Sequence, residues 1–276
     1  MTHPLLKTYK IGFIGAGHMA QALIKGMIES KLLRPDQILV SNRTPGKLLK
    51  LRELYQVQTR DHNEQIIEEC DIVVLAMKPQ DLPAAMGSLV AAFNENQIVI
   101  SLAAGIGMKS LQKLIPHGRL VRLMPNTPSL IGRGVLGLLS NRKDEAVVEM
   151  TKDLFSGLGV ILELETEDQF DALMISCSSG TGFVFEMMMY WQDWIAEHGF
   201  SDDQAKIMTI ETFLGASLLA AQSAGVDIEE LQQRVTSKKG VTAAGLNSMR
   251  ELEIERALRI SFEKAALRSQ EISRQT

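Results

Sequence analysis

Ten residues near the start, Ile11-Gly12-Phe13-Ile14-Gly15-Ala16-Gly17-His18-Met19-Ala20, restrict the possible folds more than any others in this chain. Ile11 to Ile14 is a short apolar run that reads as a buried strand, and from His18 to Ser30 the residues Met19, Leu23 and Met27 recur at helical spacing. Between strand and helix lies Gly15-x-Gly17-x-x-Ala20, the position at which such a glycine pair points to a dinucleotide. Gly15 allows the tight turn, Gly17 lets the backbone approach a pyrophosphate, and Ala20 takes the third glycine's place where helix meets strand. The helix start offers unpaired N–H groups to the phosphates. His18 falls inside the loop, where a histidine is more often a surface residue than a catalyst.

The same alternation continues. Ile38-Leu39-Val40, Asp71 to Ala76, Gln97 to Leu102 and Arg119 to Leu123 read as further strands, with polar helical segments between most of them. Strands apolar throughout and alternating with helices predict a parallel sheet covered on both faces. Gly134 to Ser140 and Gly159 to Leu164 read as two more strands flanking a helix from Asp144 to Leu158.

In such a sheet, ligands bind at the carboxyl ends of the strands. The second strand ends in Ser41-Asn42-Arg43-Thr44, without the acid that usually binds the ribose 2′-hydroxyl of NAD; hydroxyls, an amide and a guanidinium suit a 2′-phosphate instead. NADPH is therefore the expected cofactor, with NADH the weaker possibility. Three more strand ends carry small residues and prolines: Met77-Lys78-Pro79-Gln80, Ala103-Ala104-Gly105-Ile106 and Met124-Pro125-Asn126-Thr127-Pro128. They predict a rigid wall for a nicotinamide ring. Lys78 is either a general acid or, more simply, a positioning charge.

Beyond Glu165 the strand signals stop, which places a domain boundary between residues 165 and 166. Helical patterns run from Glu167 to Ser178, break at Ser179-Gly180-Thr181-Gly182, and resume from Phe183 to Glu197; others span Asp202 to Ser223, Ile228 to Arg234 and, as one long helix, Thr242 to about Ile272. Ser201 reads as an N-cap and Gly225 as a stop. The cluster Met187, Met188, Met189, Tyr190, Trp191 and Trp194 is either the core of a helical bundle or a subunit interface. The long last helix has an apolar face that a small domain cannot cover, which predicts an obligate dimer. Val235 to Gly245 supplies a turn, a glycine and a hydroxyl at a helix start, a site suited to holding a carboxylate beside one hydrogen-bond donor.

Composition narrows the partners. A formal net charge of −4, with both signs spread along the chain, argues against nucleic acid, and no run of strictly apolar residues approaches the length of a membrane span. Cys70 and Cys177 lack metal-ligand spacing and read as reduced and buried, in keeping with the cytoplasm. No metal site is expected.

With these motifs in place, the chain resembles the pyrroline-5-carboxylate reductase family from Ile11 to about Ile272; the loops at Met77, Ala103 and Arg122 to Pro128 carry the resemblance more selectively than the glycine loop. The resemblance implies an α/β chain. A Rossmann-type domain over residues 1–165 precedes an all-α substrate-binding and dimerisation domain over residues 166–276, assembled as an interlocked homodimer or higher homo-oligomer. It implies NADPH-dependent reduction of 1-pyrroline-5-carboxylate to proline, with a related cyclic imino acid, or an NADPH-binding sensor without turnover, as the alternatives.

Carried over by position, Gly15, Gly17, His18, Met19, Ser41, Asn42, Arg43, Asn63, Met77, Lys78, Pro79, Ala103, Ala104, Gly105 and Asn126 would bind cofactor. Ser237, Gly240, Val241 and Thr242 would bind substrate, and the Thr242 hydroxyl would face the imine nitrogen as the catalytic group. The chain departs from the family pattern at Lys238-Lys239, where the family has Pro-Gly. It departs again at Phe183-Val184-Phe185, where the family has Pro-Ala-Tyr, and at Glu253, where a glycine is usual.

Overall fold

The computed structural model describes residue 6, residues 8–141 and residues 144–275. The chain divides into two compact units, Met1–Ser179 with Ala266–Thr276, and Gly180–Ala265.

The first unit is built on eight strands: β1 (Ile11–Ile14), β2 (Ile38–Ser41), β3 (Gln58–Arg60), β4 (Ile72–Leu75), β5 (Ile98–Ser101), β6 (Arg119–Met124), β7 (Gly134–Ser140) and β8 (Gly159–Glu163). They lie in the order β3-β2-β1-β4-β5-β6-β7-β8. The first six are parallel, β7 runs antiparallel to β6, and β8 returns parallel to β7. The first six strands form the parallel sheet expected from sequence, and the direction of β7, which the sequence pattern left open, is reversed. Residues 125–133 are too few for the crossover that a parallel partner requires. The sequence also gave no sign of β3, because its three polar, half-buried residues lie at the sheet edge, where burial imposes no apolar pattern.

Successive residues of each central strand feed opposite faces. Phe13, Val40, Val74, Ile100, Val121 and Leu138 pack on one side, against α1 (His18–Glu29) and α6 (Glu145–Phe155). Ile14, Leu39, Val73, Leu75, Val99 and Leu120 pack on the other, with α3 (Asn63–Glu69), α4 (Leu82–Leu89), α5 (Met108–Leu114) and α7 (Glu167–Leu173). Burying each large side chain contributes about 1.5–3 kcal/mol, so the alternation that made the strands legible also holds them. The remaining helix of this part, α2 (Pro45–Tyr55), follows β2.

The helix expected to break at Ser179 does not. It runs from Glu167 to Glu197, α7 passing through a π-helical segment, Met174–Ser179, into α8 (Gly180–Glu197). The wider π turn frees carbonyls, and Asn126 Nδ2 donates to the Cys177 carbonyl at 3.1 Å while Ser178 Oγ donates to Pro125 O at 3.4 Å. By length and composition this helix could cross a membrane, with a mean hydropathy of 1.3 over its most apolar window.

In the second unit α8 packs on α9 (Asp202–Gln222), with Trp191 edge-on to Phe213 at 5.5 Å. Ser201 caps α9 by accepting from Gln204 N, and the Gln204 side chain accepts from Ser201 N in return. Then follow α10 (Ile228–Arg234), α11 (Val241–Glu251) and α12 (Ile254–Gln275). The single long helix expected from residue 242 is thus two helices, parted at Leu252 and Glu253, where Glu253 takes a φ of +51°. Glutamate is a good helix former, so local propensity gave no warning of the break.

Candidate functional site

The order of the sheet reverses between β1 and β4, and there a cavity of about 450 Å³ opens at the carboxyl ends of the strands. Its floor is the turn leaving β1. Gly15 has φ +110°, and a Cβ on it would stand 2.7 Å from the Ala76 carbonyl oxygen, so only glycine fits. Gly17 is the N-cap of α1, and no side chain caps that helix, which leaves its first N–H groups directed outward.

The loop after β2 is tied to this turn. Gly15 N donates to Ser41 O at 2.8 Å, Ala16 N donates to Asn42 Oδ1 at 3.0 Å, and Asn42 Nδ2 donates to Thr44 O at 3.0 Å. Ser41 is buried behind the cavity, its hydroxyl donating to Asn63 Oδ1 at 2.8 Å, so it orients Asn63 from the rear. Arg43, Lys47 and Lys78 bring three cations to the rim against the single acid Asp81. Among the described residues no ion pair engages any of the three. An open helix N-terminus, a backbone that closely approaches the ligand and a cationic rim fit a pyrophosphate and a further phosphate.

Of the cofactor residues expected from sequence, Gly15, Gly17, Asn42, Arg43, Asn63, Met77 and Lys78 line this cavity. His18 is exposed at the head of α1, and Met19 packs against the core. Pro79 opens a short 3-10 turn beside the wall. Ala103, Ala104 and Gly105 lie one strand further along, after β5, with Ala103 buried and Gly105 at φ +78°. Asn126 is buried, and its amide donates to Cys177 O and accepts from Val135 N at 2.9 Å. Its geometry is that of a brace between the loop after β6 and the π turn.

Sequence reasoning missed Lys47, Asp81, Ala84 and Ala85 in the lining. Lys47 had a signal: Pro45 marks a helix start just after Arg43, which places Lys47 in the first turn of a helix opening at the same strand end.

Gly240 is the N-cap of α11, and Gly240 N donates to Ser237 O at 3.0 Å. A Cβ on Gly240 would stand 2.1 Å from Ser237 Oγ, so a side chain there would require the serine hydroxyl to turn away. Val241 and Thr242 open the helix, both exposed, and no side chain caps it. Lys239 occupies the left-handed region at φ +61°, a conformation natural to the glycine it replaces. Of the other departures, Phe183 packs on Phe262 with ring centroids 5.5 Å apart, while Phe185 remains exposed.

Cys70 and Cys177 are not disulfide-bonded. Burial pushes the Cys70 thiol up to about 12, which keeps it inert, whereas Cys177 is half-buried in the π segment rather than fully buried as expected.

Residues 10–105 match the family model described as NADP oxidoreductase, coenzyme F420-dependent, and residues 167–272 match that of pyrroline-5-carboxylate reductase dimerisation. A pyrroline-5-carboxylate reductase of Pseudomonas aeruginosa is 34% identical, over 98% of this chain and 99% of its own. The Arabidopsis thaliana enzyme of that name is 31% identical over 97% and 96%. Among solved structures, a pyrroline-5-carboxylate reductase from Coxiella burnetii has a TM-score of 0.89 at 30% identity, covering 96% of this chain and 99% of that one. A Plasmodium falciparum pyrroline carboxylate reductase with NADP bound shares the fold, with a TM-score of 0.85 at 22% identity over 97% and 99%.

Proposed function

The chain belongs to the pyrroline-5-carboxylate reductase family, and from that premise we propose that it reduces 1-pyrroline-5-carboxylate to proline with NADPH, in the cytoplasm, as an interlocked homodimer. The observation that carries this reading is the cavity at the strand reversal, whose glycine turn, uncapped α1 and unpaired cations suit a phosphorylated dinucleotide. NADPH supplies the hydride. Asn42 and Arg43, with Ser41 behind them, hold the 2′-phosphate, Asn63 lies toward the adenosine, and Met77, Lys78 and Pro79 continue the wall toward the reactive ring.

The helical half, from residue 166, binds substrate and a second copy. The open N–H groups from Gly240 to Thr242 take the substrate carboxylate. The Thr242 hydroxyl hydrogen-bonds the ring nitrogen and orients the imine. A protonated cyclic imine accepts hydride directly, so orientation does most of the catalysis and no strong acid is required. The apolar surface of the helix Glu167–Glu197 faces the second copy, since the dimerisation match covers that whole segment.

The test is NADPH oxidation with pyrroline-5-carboxylate, with piperideine-carboxylate, and with neither. Turnover of the first is expected; turnover of the second alone reassigns the substrate, and tight NADPH binding without turnover makes the protein a sensor.

A further inference from the structure

Glu167, the first residue of α7, joins two elements distant in sequence. Its Oε1 accepts from Met108 N at 2.6 Å, and its Oε2 pairs with Arg122 on β6. Met108 opens α5, whose N-cap is Gly107, a residue with no side chain to satisfy the helix's first N–H groups. Glu167 thus performs from 59 residues away the capping that Gly107 cannot. Upstream of Gly107 lies the Ala103–Gly105 loop. Its other end is fixed by Leu102 N donating to Leu75 O at 3.1 Å and Ala103 N donating to Ser101 Oγ at 3.3 Å. Glu167 therefore secures the end that β5 does not.

Arg122 is the less expected partner. It is only 2% exposed, its guanidinium carbon stands 3.8 Å from the centroid of the Phe170 ring, and its Nε is buried without a partner. Burial lowers its pKa against the opposing pull of Glu167, and burial also raises that of nearby Asp171. Arg122 is buried while the Glu167 side chain is 41% exposed, so the pair holds one desolvated cation against a carboxylate still partly in water. What the charge provides is a fixed direction. Phe170 lies one turn after Glu167 on α7, so stacking and ion pair together aim the carboxylate at Met108 N.

We propose that Glu167 is a positioning residue for hydride transfer: held by Arg122, it caps α5 and so sets the Ala103–Gly105 loop against the nicotinamide half of NADPH. This rests on the cofactor reading above. Asn42 and Arg43 follow β2, three strands from β5 in the sheet order, and keep their own hydrogen bonds, so the two ends of the cofactor separate experimentally.

The experiment compares E167A, E167Q and the double variant G107S/E167A with wild type, measuring affinity for 2′,5′-ADP, affinity for NADPH, and kcat. E167A is expected to leave 2′,5′-ADP affinity unchanged, weaken NADPH, and lower kcat about 10–100-fold, the cost of misplacing a reacting group by about an ångström. E167Q keeps an acceptor for Met108 N and is expected to recover most of the loss. G107S/E167A supplies a local cap and is expected to recover it as well. Equal loss of 2′,5′-ADP and NADPH affinity overturns the proposal, because it signals general loosening. So do an unchanged kcat in E167A and a failure of both rescues, and the rescues decide the matter even if E167A does not fold. If wild type turns over no imino acid, the proposed function fails instead, and the two nucleotide affinities still test the role of Glu167.

Discussion

The two units bury their apolar residues to opposite extents. In Met1–Ser179 the central strands are sealed on both faces, and Phe13, Ile38, Val74 and Ile100 have no exposure at all. In Gly180–Ala265 the buried residues are few, among them Ile195, Ala205 and Thr209; α10 and α11 bury none, and Tyr190 and Trp194 are each 61% exposed. Both units are rich in large side chains, so composition does not separate them. The first forms a complete core within one chain. The second displays one that a second copy completes, in keeping with the dimerisation family it matches. The exposure of Met187, Met189, Tyr190, Trp191 and Trp194 within one chain favours a subunit interface for that cluster, with Trp191 also edge-on to Phe213.

The contrast can be broken most directly at Trp194. Trp194→Asp puts a charge into the surface assigned to the second copy and is expected to cost association about 2–4 kcal/mol or more, the scale of an interface hot spot. Sedimentation across a concentration series reads it, and an undisturbed oligomer would remove this face from the interface. Gly15→Ala attacks the closed unit: it forces a Cβ toward Ala76 O at φ +110° and is expected to cost about 1–3 kcal/mol of stability with loss of NADPH binding. Thermal unfolding and nucleotide titration measure both; retention of tight binding contradicts the close-approach role.

Thr242→Ala in the open unit is expected to leave folding intact and remove about 1–3 kcal/mol of transition-state stabilisation. An unchanged kcat/KM removes the hydroxyl from the mechanism. Lys239→Gly is the smallest change. Relief of a left-handed non-glycine residue is expected to stabilise by about 1 kcal/mol, visible as a small rise in the unfolding midpoint without loss of activity. A drop in activity would instead give the Lys239 charge a part in holding the carboxylate.

Where a residue's environment is fixed by its neighbours in sequence, reading it was straightforward. The glycine turn, the central strands and the helix starts at Ser201 and Asp144 follow from period, capping and glycine chemistry, and Asp144 does accept from Val147 N. Where tertiary contacts supply a group's partner, reading failed. Asn126 reads in sequence only as a cofactor residue, whereas its amide also donates to Cys177 O and accepts from Val135 N, contacts that no local pattern announces. The glycine pair in Ser179-Gly180-Thr181-Gly182 looked like a break, yet a π segment carries the helix through. Lys47 stood in plain view but gained meaning only when α2 brought it to the cavity.

The sequence by itself determined the sheet, the dinucleotide turn and the family, because each is written in short-range patterns that few other structures satisfy. Tertiary structure alone decided the triad of Met108, Glu167 and Arg122. Its members lie far apart in the chain, and a hydrogen bond across 59 residues leaves no periodicity to read.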